Sequence, residues 1–253
     1  MEKVKFDILI VCAEKDFNKL PFVWDSIKEN IYGFKDIYII SNIPVPSKQR
    51  SLLDKYYYLD KDIIKFDFTK LVGNNEFRRN WYKQQFIKLF QGVTSDNYLV
   101  VDADAFFNRP INIIKDGKPS FLFGKDQYHA PYFQFMEDMW NLNRVYPHSF
   151  INEVMFFKRE YVQHMLYSIE CSPKDFFEIS VRTLNKLNDA SGFSEYESYG
   201  NYVTKKFPQA YNYIKLKTSS KGGHKMWQEN DIKQYIKSFK GKDIDMISLH
   251  SWV

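Results

Sequence analysis

The chain has 253 residues, 44% of them hydrophobic and 26% charged, with 36 Lys and Arg against 31 Asp and Glu for a formal net charge of +5. This is an ordinary globular balance, long enough for one large α/β domain, and the positive excess is spread out rather than gathered into a nucleic-acid-binding arm. Two cysteines, Cys12 and Cys171, offer neither a disulfide framework nor a CxxC metal pair, and they suit a reducing, cytoplasmic setting.

The first apolar run, Ile8 to Ala13, is only six residues long and is flanked by charges of both signs. It is too short for a signal-peptide core or a membrane span, so it reads as a first strand of a soluble protein. Any membrane contact is expected to be peripheral. Runs rich in Ile, Val, Phe and Tyr predict strands at 6–11, 37–41, 63–66, 98–101, 120–123 and 154–157. Helices are expected at about 17–31, 46–55, 76–92, 159–168, 174–189, 195–206 and 228–238. The alternation implies a single α/β domain over 1–253, with a mostly parallel central sheet flanked by helices. Segment 124–150, rich in Tyr, Phe, Trp and His, reads as irregular and suited to a binding wall. "KTSSKGGHK" (217–225) reads as a flexible loop.

Ligands of such sheets bind beyond the carboxyl ends of the strands. "YLVVDADAFF" (98–107) places Asp102 and Asp104 at one such end. On an extended backbone both carboxylates point to the same side, where they repel unless a cation lies between them. A divalent metal would do so; alternatively, one Asp caps a helix and the other faces water. In the preceding "NEFRRNWYKQQFIKLFQG" (74–92), Tyr82, Phe86, Leu89 and Phe90 form a core-facing helical stripe. Arg78, Trp81, Gln85 and Lys88 run down a different face. That face is either a solvated helix side or a polar wall for phosphate and sugar hydroxyls.

In "GFSEYESYGNYV" (192–203), Ser194 and Glu197 have the spacing of a capping box, which leaves Glu195 free to act as a general base. Glu197 is the second choice. Asn152 and Glu153, just before the 154–157 strand, are candidates for holding sugar hydroxyls or for an ordinary turn. His224, between Lys221 and Lys225 in a Gly-rich stretch, belongs either to a lid over a diphosphate or to an exposed basic turn.

"RRNWYKQQFIKLF" followed closely by "YLVVDADAFF" resembles the DxD glycosyltransferases of GT-A fold, within them a poorly characterised group with a WYxQQ-like helix. "SEYESYGNY" and the terminal "SLHSWV" resemble further segments of that group. The resemblance implies a Rossmann-like fold, with 1–110 as the nucleotide-binding half and 111–253 as the acceptor and catalytic half. It implies an Mn²⁺ or Mg²⁺ ion on Asp104, Asp102 and His250, with His224 as the competing ligand. Asp102, with Ala103 beside it, would also meet the ribose. Ala13, Glu14 and Asp16 would contact the nucleoside, while Arg78, Trp81, Gln85, Lys221 and Lys225 complete the nucleotide-sugar site. The donor expected first is a UDP-sugar and second a GDP-sugar, with a glycan hydroxyl as acceptor.

Three other readings compete. A haloacid-dehalogenase-like phosphatase also uses D-x-D, but usually on its first strand, and Asp243 and Asp245 come too near the end to supply its late acidic pair. A single-strand nucleic-acid surface would need a basic-aromatic motif, and none is present. A non-catalytic GT-A fold would not need the acidic groups this sequence retains.

Overall fold

The computed structural model describes residues 4–53, 56–60, 63–124 and 126–251. In chain order the strands are Phe6–Cys12 (β1), Phe34–Ser41 (β2), Tyr57–Asp60 (β3), Asn97–Val101 (β4), Ala105–Phe107 (β5), Ile114–Lys115 (β6), Lys118–Phe123 (β7), Val154–Lys158 (β8), Asn212–Lys215 (β9), Thr218–Gly223 (β10) and Met246–Ser251 (β11). The α-helices are Leu20–Asn30 (α1), Ser47–Arg50 (α2), Arg79–Phe90 (α3), Ala130–Trp140 (α4), Arg159–Tyr167 (α5), Pro173–Leu187 (α6), Glu195–Lys206 (α7) and Glu229–Lys237 (α8).

The central sheet has the order β3-β2-β1-β4-β8. Its first four strands are parallel and β8 runs antiparallel beside β4. Every residue of β1 is buried, as a strand covered on both faces requires. Two smaller sheets, β10-β11-β5 and β6-β7-β9, flank it. The β5 strand follows β4 after a short turn and pairs with β11, so the end of the chain returns to the carboxyl edge of the central sheet. The expected mostly parallel α/β architecture is what the chain adopts.

Helix ends follow local chemistry. Ser172 and Asp175 form a reciprocal capping box at the start of α6, with Pro173 in its first turn. The Ser194 hydroxyl caps α7 by accepting from the Glu197 N–H at 3.2 Å. Gly200 lets α7 pack against Phe150: a Cβ there would lie 2.3 Å from that ring. This close approach sets α7 against the segment that leads into β8.

Several expectations need correction. Residues 63–66 form no strand; the edge strand is Tyr57–Asp60 instead. The apolar character of 63–66 comes from side-chain packing, with the Phe66 ring stacked on Phe177 at 4.8 Å. The helix expected at 46–55 shortens to Ser47–Arg50, and 54–55 lie outside the described residues. Residues 73–78 wind as a 3₁₀ turn before α3. The 124–150 segment contains α4, whose Phe133, Met136 and Met139 are buried. The flexible loop expected at 217–225 contains β10, with Gly222 and Gly223 in register with His250 and Ser251.

Candidate active site

The β4 strand ends at Val101, and Asp102, Ala103 and Asp104 turn the chain into β5. The turn is pinned from two sides. The Asp102 N–H donates to the Glu153 carbonyl at 2.8 Å, and the Leu249 N–H donates to the Asp104 carbonyl at 2.9 Å. The backbone is therefore bent rather than extended, and the two carboxylates meet different partners.

Asp102 faces α3 and α7. Lys88 Nζ lies 2.8 Å from its Oδ1 and 2.8 Å from Glu195 Oε1, and the Tyr196 hydroxyl donates to Asp102 Oδ1 at 3.1 Å. Helical side chains slant toward the N-terminus, so Lys88, in the last turn of α3, reaches back to the strand end. Its ammonium also sits 4.5 Å from the centre of the Tyr196 ring. Burial pushes the Asp102 carboxyl up to about 6 against the pull of Lys88, and the nearby Asp104 charge adds to the rise. For Lys88 burial works against the charge, but Asp102 and Glu195 outweigh it and hold the ammonium above the usual lysine range.

Asp104 faces β11. His250 Nδ1 lies 3.0 Å from Asp104 Oδ2, and His250 Nε2 lies 3.6 Å from Glu153 Oε1. Burial opposes charging of the imidazole, yet the two carboxylates push its pKa up to about 9. Burial likewise opposes the Asp104 charge, but His250, Lys19 and Lys15 hold that carboxyl below its usual range. Glu153 has a left-handed backbone, φ 57°, which places it between β8 and β11. Lys19 is fully buried and pairs with Asp16 at 2.7 Å, while Lys15 donates to the Ser251 carbonyl at 2.6 Å. The turn after β1 is thus tied to the His250 strand.

The two glutamates of α7 occupy different settings. Glu195 is buried in the first turn beside Lys88, and its N–H donates to Gln85 Oε1 at 3.1 Å. Glu197 accepts from Ser149 Oγ at 2.5 Å, from the Phe150 N–H at 3.2 Å and from Asn201 Nδ2 at 3.0 Å. Its carboxylate therefore joins α7 to the segment before β8 and does not close the expected capping box. Asn152 is fully buried, and neither amide atom has a partner among the described residues. Gln85 Nε2 is likewise buried without one. Buried amides normally find partners, so these atoms need a water or another polar group to complete them.

Beyond the ends of β1 and β2 lies a cleft lined by Cys12, Ala13, Ser41, Asn42, Asn80 and Gln84. Glu14 is exposed at its rim and Asp16 is turned to Lys19. Arg78 ends the 3₁₀ turn before α3 and Trp81 stands on the first turn of α3, with the guanidinium 5.0 Å from the Trp81 ring centre. On the other side of the site, Lys221 and Lys225 lie 5.4 and 4.2 Å from the Trp227 ring. The Trp227 indole N–H donates to the His250 carbonyl at 2.9 Å. His224 lies in the exposed bend after β10, and it is His250 that meets Asp104.

The structure thus brings Asp102, Asp104, Glu153, Glu195 and His250 together at one sheet edge. Sequence reasoning missed Lys15, Lys19 and Tyr196, and it left Lys88 as a wall residue. The Asp16–Lys19 spacing of three residues was a readable signal; the partners of Lys88 and Tyr196 required the tertiary fold.

Residues 5–243 match a model described as a family of unknown function, DUF6492. No curated protein sequence matches the chain significantly. Among solved structures, mouse xyloside xylosyltransferase 1 in its apo form is similar, at 12% identity and TM-score 0.52 over 97% of each chain. An active-site mutant of LgtC aligns at 10% identity and TM-score 0.50 over 96% of this chain and 86% of that chain. These likenesses show that the fold is that of the GT-A glycosyltransferases.

Proposed function

The chain belongs to DUF6492, a family of unknown function, and we propose that it is a metal-dependent glycosyltransferase that moves a sugar from a nucleotide-diphosphate sugar to a hydroxyl of a glycan or related acceptor. The observation that carries this reading is the meeting of the Asp104–His250 pair, the Lys88-bound Glu195 and the unpartnered Asn152 at the carboxyl edge of a GT-A-like sheet. A sugar presents hydroxyls that need fixed donors and acceptors, and Asn152 and Gln85 offer both in a buried setting.

In this reading the nucleoside occupies the cleft beside Ala13, Asn80 and Gln84, with Glu14 at its rim and Ala103 beneath the ribose. Among the described residues no three such groups converge as they stand, so Asp104, His250 and Asp102 would hold Mn²⁺ or Mg²⁺ once the His250 imidazole gives up its proton and turns from Asp104 to the ion. Such an ion takes its remaining ligands from diphosphate and water, and when bound it would neutralise charge developing on the leaving diphosphate. Lys221 and Lys225 add positive charge on the same side. Glu195 takes the proton of the acceptor hydroxyl, and Glu197 holds the helix that carries it.

A screen of nucleotide-sugars, UDP-sugars first and GDP-sugars second, tests the proposal without a known acceptor. Release of the nucleoside diphosphate should need Mn²⁺ or Mg²⁺ and stop with EDTA. Turnover of phosphomonoesters with no nucleotide-sugar consumed would favour a phosphatase instead.

A further inference from the structure

Helix α3 divides its residues between two compartments. Asn80, Lys83, Gln84 and Ile87 line the cleft beyond β1 and β2. Trp81, Gln85 and Lys88 recur at three- and four-residue spacing on a second stripe, and Arg78, at the end of the preceding 3₁₀ turn, lies just beyond its start. Gln85 and Lys88 both bond to Glu195, so this stripe faces the proposed base rather than the nucleoside. At 1.5 Å per residue, Arg78 stands about 15 Å along the helix axis from Lys88.

Arg78 is exposed and makes two contacts without being neutralised. Its guanidinium lies over Trp81, and Nη2 donates to Ser191 Oγ at 3.2 Å. The Ser191 N–H donates in turn to Asp189 Oδ1 at 2.8 Å, the oxygen that lies 3.3 Å from His129 Nε2. Among the described residues no carboxylate pairs with Arg78, whereas the neighbouring Arg79 is paired with Glu76 at 3.1 Å. Ordering an arginine costs side-chain entropy, and here no ion pair within the protein offsets it. The remaining guanidinium N–H groups stay available in a fixed fork.

The surroundings of Arg78 suit a sugar chain. Phe77 is 89% exposed, and Tyr128, one residue before His129, is 67% exposed. These rings leave apolar surface that the C–H faces of a saccharide would cover. Tyr132, in the first turn of α4, is near enough to both Glu195 and Arg78 to feel their charges.

We infer, resting on the transferase reading above, that the acceptor is a saccharide carrying an anionic group, a carboxylate or a phosphate, which docks on Arg78. A guanidinium fork matches either oxyanion in a bidentate pair, so both share one recognition chemistry.

Calorimetry on the full chain with Mn²⁺ and UDP tests this with two matched pairs of probes. One pair is a uronic-acid-terminated disaccharide and its methyl ester; the other is a phosphorylated disaccharide and its neutral parent. A charge-assisted pair should make the anionic member bind about 10-fold tighter or more. The pair with the larger ratio identifies the oxyanion. Arg78→Gln should bring the ratio near one. Arg78→Lys should keep only part of it, because an ammonium neither stacks nor forks. Trp81→Leu should lower it with Arg78 still present, and melting curves confirm that each variant is folded. Equal affinity within both pairs, including no binding of any probe, overturns the inference, as does a ratio that survives Arg78→Gln. Failure of UDP to bind or of any donor to turn over would instead strike the transferase reading, and it is measured separately.

Discussion

Lys88 Nζ and Glu195 Oε1 lie 2.8 Å apart at the carboxyl edge of the central sheet, and Asp102 lies at the same distance from that ammonium. One buried cation therefore serves two carboxylates. Lys88→Met keeps most of the side-chain volume but leaves both acids without a counter-charge. We expect a loss of about 3 kcal/mol or more in urea unfolding at pH 7, the scale for breaking a buried ion pair. We also expect Asp102 to titrate higher than about 6 once its cation is gone, which carboxyl-resolved NMR would show. An unchanged midpoint and an unchanged Asp102 titration would remove Lys88 from the centre of the site.

The two α7 glutamates should separate cleanly. Glu195→Gln should lower kcat by about 10²–10⁴-fold with little change in donor KM, the signature of a lost general base. Glu197→Gln places an amide N–H₂ among the Ser149, Phe150 and Asn201 donors, leaving a buried mismatch. It should cost about 1–3 kcal/mol of stability. A dead but stable Glu197→Gln enzyme would reverse these roles.

Gly200→Ala tests the packing that carries Glu195. Its Cβ would meet the Phe150 ring at 2.3 Å, a distance relieved by moving α7 away from the segment that leads into β8. Overpacking of this kind costs about 1–3 kcal/mol. A helix-stabilising gain, the usual effect of Gly→Ala in a helix, would contradict the observed contact.

Cys12 reports on the nucleoside cleft. Burial pushes its thiol up to about 12, with the nearby Ser41 hydroxyl working against the rise. At pH 8 only about one molecule in 10⁴ carries the thiolate there, so alkylation should be slow and should accelerate as pH rises toward 12. UDP with Mn²⁺ should slow Cys12 labelling further and leave Cys171 unaffected, as peptide mass spectrometry would resolve. Labelling of Cys12 that ignores the nucleotide would move the nucleoside elsewhere.

The central strands were legible because β1, β4 and β8 are continuous apolar runs, and α6 because Ser172, Pro173 and Asp175 announce its start. Helix α4 was not, since its aromatic-rich sequence hid the buried spacing of Phe133, Met136 and Met139. Pro131 in its first turn was the missed signal. The β10 strand, TSSKGG, has low strand propensity and exists because β11 offers it a parallel partner. At the site, the aspartates and His250 stood out as motif residues. The separation of their partners, with Lys88 at Asp102 and His250 at Asp104, followed from the bend after Val101, which no local pattern announces.

The most direct test of the central claim is calorimetry of UDP and GDP binding with Mn²⁺ and with EDTA, on the wild type, Asp104→Ala and His250→Gln. Asp104 and His250 supply too few ligands to hold the ion alone, so nucleotide and metal should bind together. One nucleotide should bind tightly to the wild type with Mn²⁺ and weakly with EDTA, and both variants should lose this difference. Equal nucleotide affinity with Mn²⁺ and with EDTA, or an undiminished metal effect in Asp104→Ala, would contradict this.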